Sequence, residues 1–287
     1  MLHENILINI DYDALGIQHD DSVPVLTTYI LNQLKDIQGE RRRPCILICP
    51  GGGYGHLAER EAEPIAIRMN SYGLNACVLR YSLLPNGYPC PMYEAAYAVK
   101  YIRDHSQEWG IDPDKIIIAG FSAGGHVAAS VGTLWNQDEF ADFTKNYLKC
   151  EPSYIRPDGM LLGYSVLTSG EKAHKMSFVR LLGDRHDELL DKVSLEKRVN
   201  EGTPKTFMWH TFSDESVPME NSLLFANALR ENNIPFELHI FPKGNHGLGL
   251  GSKETDVKEG TKYQPECSVW PDMFKTWLEN TVGPIYE

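Results

Sequence analysis

Ile116-Ile117-Ile118-Ala119-Gly120-Phe121-Ser122-Ala123-Gly124-Gly125-His126 decides how this chain folds. The apolar run Ile116 to Ala119 reads as a buried strand. Ala123 to Trp135 has helical spacing and begins immediately after Ser122. Between the two, Gly120-Phe121-Ser122-Ala123-Gly124 matches G-x-S-x-G. A serine on a sharp strand-to-helix turn needs small residues two places to either side, because the backbone closes on itself there. Taken alone, the pentapeptide could be a plain glycine-rich turn. Its place between the most apolar strand and a helix points to a nucleophile. The Ala123 amide sits at the helix N-terminus, where free N–H groups and the dipole favour negative charge.

Upstream, Pro50-Gly51-Gly52-Gly53-Tyr54 follows the apolar run Cys45 to Cys49 directly. A tetrahedral oxyanion needs backbone donors from two places, one after the nucleophile and one from a loop beside it. Glycines present amides with no side chain in the way. The three-glycine loop is therefore read as a source of oxyanion donors rather than as a plain turn.

Downstream, Ser213-Asp214-Glu215-Ser216-Val217-Pro218 follows a strand that ends at Trp209, and Gly244-Asn245-His246-Gly247 follows one that ends at Phe241. A serine hydroxyl needs a neutral imidazole to take its proton, and the imidazole needs a carboxylate to fix its tautomer. Ser122, Asp214 and His246 supply these types in the chain order that an elbow fold demands. The chain has ten histidines, so one histidine alone carries little weight. His210, at a strand end, is expected to pack or to line the pocket, and His126 to pack against the sheet. Glu215 and Asp184 are the rivals of Asp214 for the acid.

Short apolar runs alternate with longer periodic segments along the rest of the chain, the pattern of a mostly parallel sheet covered by helices on both faces. Strands are expected at 25–31, 45–49, 76–81, 116–119, 160–164, 206–209 and 237–241. Helices are expected at 62–72, 92–105, 123–135, 219–230 and 270–281. The polar stretch 32–43 reads as a turn ending in a solvated basic run, Arg41-Arg42-Arg43. Asp112-Pro113-Asp114 reads as a turn into the central strand. Residues 136–157 and 165–202 break the alternation. The second carries helical patches at 178–182 and 189–199, and is expected to form part of a cap or pocket wall within one domain, 1–287.

With 287 residues, 42% of them hydrophobic, the chain can fill a sizeable core. Its formal net charge of −12 repels phosphate backbones and anionic membranes, which argues against nucleic-acid and membrane partners. Met1 to Ile6 holds no basic segment leading into an apolar one, and the six cysteines form no Cys-x-x-Cys pair. Together these predict a cytoplasmic protein with reduced thiols, no metal site and no organic cofactor. The sequence fixes no oligomeric state, and a homo-oligomer stays open.

Cys49 to Tyr54, Gly120 to His126, Trp209-His210-Thr211 with Asp214 and Val217-Pro218, and Glu237 to Phe241 with His246 to Gly249 together resemble the bacterial acetylesterases related to acetyl xylan esterases. That family lies in the α/β-hydrolase superfamily and adjoins the hormone-sensitive-lipase-like esterases. The resemblance spans about residues 40–282. It implies the α/β-hydrolase fold, with a small helical insertion after the sixth strand. It also implies catalytic roles for Ser122, Asp214 and His246, and an oxyanion hole from Gly52 or Gly53 with Ala123. Arg80 to Pro85 is similar to a Tyr-Arg-Leu-x-Pro stretch of the lipase-like group. Pro50 stands where that group has histidine, which favours the acetylesterase branch. The expected activity is removal of small acyl groups, acetyl above all, from sugars or short oligosaccharides through an acyl-enzyme. Tyr54, Tyr88, Trp209 and His210 are the residues expected to bind this small-molecule or oligosaccharide ester. The rival readings are a general small-ester carboxylesterase, an amidase or peptidase, and a non-catalytic binding protein.

Overall fold

A computed structural model describes residues 1–33 and 41–286. Eight strands form one sheet in the order β1-β2-β4-β3-β5-β6-β7-β8. They are β1 (Asn5–Leu7), β2 (Val25–Tyr29), β3 (Arg43–Cys49), β4 (Asn75–Arg80), β5 (Ile111–Phe121), β6 (Gly159–Gly163), β7 (Thr206–Thr211) and β8 (Phe236–Phe241). β1 and β2 join antiparallel, and every pairing from β4 to β8 is parallel. The main helices are α1 (Glu63–Ser71), α2 (Cys90–Asp104), α3 (Ala123–Leu134), α4 (Lys175–Leu182), α5 (Glu220–Glu231) and α6 (Trp270–Thr281). This is the α/β-hydrolase arrangement.

Strand periodicity divides the core into two layers. Cys45, Leu47, Cys49, Ile116 and Ile118 face α2, α3 and α5, where Val99, Ile102, Val127, Val131, Phe225 and Leu229 are buried. Ile46, Ile48, Ile117, Ala119 and Phe121 face α1 and α6, where Ile65, Met69, Phe274 and Leu278 are buried. The central strands are therefore apolar throughout rather than alternating, as a sheet covered on both faces requires.

One strand was not expected, and two local expectations are corrected. β1 carried no recognisable signal, because only Ile6 of its three residues is even half-buried, while Asn5 and Leu7 are exposed. Asp112-Pro113-Asp114 lies inside β5, not before it. The register between β3 and β5 slips after the Arg43–Ile111 pair, and the extra residues are absorbed as a bulge. Arg43 is buried in β3 rather than solvated. Its Nη1 donates to the Gly73 carbonyl at 3.0 Å and its guanidinium faces the Tyr286 ring, which replace the water it loses. Most of the turn expected over 32–43 lies outside the described residues.

The polar stretch 138–155 is short helical turns. It packs along α2, with the Phe143 ring stacked on Tyr93 at 3.9 Å. Among the described residues no helix is long and apolar enough to cross a membrane.

Phe274 is fully buried on α6 and meets the Phe207 ring edge-on at 5.8 Å. Phe274→Ala is expected to cost about 3–5 kcal/mol of unfolding free energy in urea titration. A loss below about 1 kcal/mol would contradict this packing of α6.

Candidate active site

Five loops leave the carboxyl ends of β3, β5, β6, β7 and β8, so the topology gathers them at one edge of the sheet. The turn after β5 is strained. Ser122 has φ 53° and ψ −122°, a conformation that side-chain-bearing residues rarely adopt. Its flanking glycines are obligatory. A Cβ on Gly120 would lie 2.2 Å from the Gly124 carbonyl oxygen, and one on Gly124 would lie 2.0 Å from that of Cys49. The Ser122 amide donates to the Gly163 carbonyl at 3.1 Å, which ties the turn to β6.

The structure brings Ser122, His246 and Asp214 into one hydrogen-bonded line. Ser122 Oγ donates to His246 Nε2 at 2.7 Å, and His246 Nδ1 donates to Asp214 Oδ2 at 2.7 Å. The tautomer follows from the partners: a carboxylate accepts only, so the proton sits on Nδ1 and Nε2 is free to accept. Asp214 Oδ1 accepts the amides of Ser216 and Val217, each at 2.9 Å. Burial alone would raise the Asp214 carboxyl. Hydrogen bonds from His210, His246 and the Val217 amide outweigh it and hold the group well below the usual carboxylate range. Glu215 and Asp184 are exposed and take no part in this line.

The glycine loop lies against the serine. Gly51 is so close that a Cβ there would meet Ser122 Cβ at 2.7 Å. Gly52 and Gly53 have φ 132° and 60°, which turn their amides without a side-chain clash. The Gly51 amide donates to Glu61 Oε2 at 2.8 Å. Among the described residues, the amides of Gly52, Gly53 and Ala123 have no intramolecular acceptor.

Three of the expected substrate contacts are elsewhere. Tyr54 is buried, and its hydroxyl donates to His126 Nδ1 at 2.8 Å. Trp209 is fully buried and stacks on Trp270 at 5.5 Å. His210 is also fully buried: it accepts from Ser222 Oγ at 2.8 Å and donates to the Val217 carbonyl at 2.9 Å. All three residues adjoin the site in sequence, but the sheet and helices cover their side chains. Tyr88 alone is half-buried, and borders a cavity of about 520 Å³ together with Arg180. His126 donates from Nε2 to the Val193 carbonyl at 2.8 Å, and burial pushes its imidazole down to about 4.

Four neighbours escaped sequence reasoning: Glu61, Tyr164, His174 and Arg180. No motif marks any of them. Arg180 Nη1 donates to the Gly53 carbonyl at 3.1 Å, joining α4 to the glycine loop. His174 stands beside it, bonded through Nδ1 to Ser177 Oγ at 2.8 Å. Burial first, then the nearby His246 and Arg180, lower the His174 imidazole.

The BD-FAE family profile matches residues 34–229. Endo-1,4-beta-xylanase B of Butyrivibrio fibrisolvens is 39% identical over 242 residues, covering 81% of this chain and 36% of that protein. Acetylxylan esterase of Xylanibacter ruminicola is 28% identical over 210 residues, covering 71% of this chain and 40% of that protein. The chain thus spans well under half the length of these relatives. Among solved structures, an acetyl ester-xyloside bifunctional hydrolase from Caldicellulosiruptor lactoaceticus matches with a TM-score of 0.78 at 40% identity, over 94% of this chain and 96% of that one. A carboxylesterase from Lactobacillus plantarum WCFS1 matches with a TM-score of 0.84 at 27% identity, over 99% of each chain.

The depressed Asp214 carboxyl has a consequence for stability. The stabilisation it contributes is complete above the ordinary carboxylate range and is lost as pH falls toward its lower folded value. The gap in urea stability between the protein and Asp214→Asn should therefore narrow from about pH 5 to about pH 3. A gap that stayed constant or widened over that interval would contradict the depressed value.

Proposed function

The chain belongs to the BD-FAE family, and from that and the geometry around Ser122 we propose a serine carboxylic-ester hydrolase that removes small acyl groups, acetyl above all, from sugars or short oligosaccharides. The observation that carries this reading is the Ser122–His246–Asp214 line beside unoccupied backbone amides.

His246 Nε2 takes the proton as Ser122 Oγ attacks the ester carbonyl. The carbonyl oxygen becomes an oxyanion and accepts hydrogen bonds from Ala123 and from Gly52 or Gly53. Asp214 holds the imidazole in its tautomer and stabilises the imidazolium. The intermediate collapses, His246 returns its proton to the departing alcohol oxygen, and an acyl-enzyme remains. A water deprotonated by His246 then attacks the acyl carbonyl. The second collapse frees the carboxylic acid and returns the proton to Ser122.

The sugar half rests on likeness to the acetylxylan esterase and to the acetyl ester-xyloside hydrolase. Arg180 borders a cavity with Tyr88 and also reaches the Gly53 carbonyl, so it is the polar side chain nearest the glycine loop on that side. Residues 165–202 form the pocket wall through α4. The short acyl half rests on what that wall offers. Around Gly53 the nearest side chains are Arg180, Ser177 and His174, all polar. Each methylene of a longer chain is worth about 0.8 kcal/mol only where it reaches an apolar surface. All six cysteines are free thiols, which supports a reducing compartment, the cytoplasm. The net charge of −12 supports a neutral substrate over a nucleic acid or membrane.

Ser122→Ala should fold, by circular dichroism, and lose at least about 10⁴-fold in nitrophenyl acetate turnover. Asp214→Asn should lower turnover about 10⁴-fold with little change in KM, whereas Glu215→Gln should be mild. Ser122→Ala keeping a tenth of the rate would sink the assignment. On nitrophenyl esters from acetate to decanoate, kcat/KM should fall from acetyl to butyryl to octanoyl. A maximum at octanoate or beyond would refute the short-acyl reading and leave the serine chemistry standing.

A further inference from the structure

Glu61 is a carboxylate 1% exposed to solvent, on the single turn Glu59–Glu61 that follows the glycine loop. A buried charge is costly unless its lone pairs are met. Here each oxygen meets a donor from a different part of the site. Oε2 accepts the Gly51 amide at 2.8 Å, and Oε1 accepts the Tyr164 hydroxyl at 2.9 Å. The Tyr164 oxygen in turn accepts the Gly249 amide at 2.9 Å, three residues beyond His246. The Tyr164 ring meets the His246 imidazole edge-on, with centroids 5.2 Å apart.

We propose that Glu61 is a positioning residue that locks the glycine loop and the histidine loop in one register, through Gly51 on one side and Tyr164 on the other. The proposal rests on the serine-hydrolase reading above.

Three further observations fit. Gly51 lies against Ser122, so a small shift of its amide moves the neighbouring oxyanion donors relative to the nucleophile. Tyr164 has φ 35°, a strained conformation that persists only where surrounding contacts over-determine it. The adjacent Arg60 donates from Nε to the Gly247 carbonyl at 2.6 Å, so the same turn grips the histidine loop twice. Glu61 has no path to the substrate; it acts only through these groups. A carboxylate is needed because both partners are donors. An amide that kept its oxygen on the Gly51 amide would set its NH₂ against the Tyr164 oxygen, which already accepts the Gly249 amide and whose own proton would lose its acceptor.

The experiment compares the protein with Glu61→Gln, Tyr164→Phe and the double variant, measuring kcat and KM on nitrophenyl acetate and affinity for phenylboronic acid, which mimics the tetrahedral adduct. Glu61→Gln should lower kcat about tenfold or more with KM within about threefold, and phenylboronic acid affinity should fall with kcat. Tyr164→Phe should lose less, and the double variant should be no worse than Glu61→Gln by more than about threefold, because both changes cut one chain of bonds. A merely structural role would lower the melting temperature and leave kcat of the folded fraction within about threefold, which would overturn the proposal. So would a double variant whose loss is the product of the single losses. If Glu61→Gln does not fold, Tyr164→Phe decides: a fall in kcat at constant KM supports the proposal, and an unchanged kcat overturns it. The serine-hydrolase reading is judged separately, by the unmutated protein against Ser122→Ala.

Discussion

The Cα of Gly124 lies so close to the end of β3 that a methyl there would fall 2.0 Å from the Cys49 oxygen and 2.4 Å from the Pro50 oxygen. The site depends on this approach. It lets α3 start directly under the glycine loop, so that the first helical amide and the loop amides share one small space. The pairing of Cys49 with Gly120 ends β3 and β5 level with each other, and their two following loops leave side by side. Ser122 and the amides of Ala123, Gly52 and Gly53 are thus placed by strand register rather than by loop flexibility.

The histidine has no such help. It lies beyond β8, in a segment without regular structure, and its position is held by side chains gripping its backbone. Arg60 holds the Gly247 carbonyl, Lys262 the His246 carbonyl, and Trp270 Nε1 the Gly249 carbonyl at 3.0 Å. Tyr164 holds the Gly249 amide. A loop anchored at four polar groups within residues 246–249 is as fixed as a strand end, at the cost of burying Tyr164 and Trp270.

The same contrast explains what the sequence revealed. β5, the elbow and the glycine loop were legible because local sterics dictate their composition. Isoleucines mark a doubly covered strand, and glycines mark positions where a Cβ cannot fit. Asp214 and His246 were legible because strand ends in a parallel sheet face one edge. Trp209, His210 and Tyr54 misled for a related reason: proximity in sequence to a site residue does not say which face a side chain takes. One residue along a strand reverses it, and Trp209 faces Trp270 inside the core. Arg43 misled because a charged run looks solvated until a carbonyl and a ring are found for one member. Glu61 was invisible since its partners are one backbone amide, of Gly51, and the Tyr164 hydroxyl from a distant segment, and a backbone amide carries no sequence signature.

Asp214 illustrates how completely such partners can decide chemistry. Its side chain is buried, a setting that by itself favours the neutral acid. Two backbone amides meet Oδ1, and His246 meets Oδ2, which His210 Nε2 also approaches to 3.5 Å. His210 gives its Nε2 proton to the Val217 carbonyl at 2.9 Å, the shorter contact, so its pull on Asp214 is secondary in geometry though favourable in sign. The carboxylate has donors on both oxygens and cannot turn without losing two of them. His246 Nδ1 therefore meets an acceptor of fixed direction, and the lone pair of Nε2 points at Ser122 Oγ. The backbone donors, which the turn 214–217 supplies whatever its exposed side chains, keep the acid ionised and aimed.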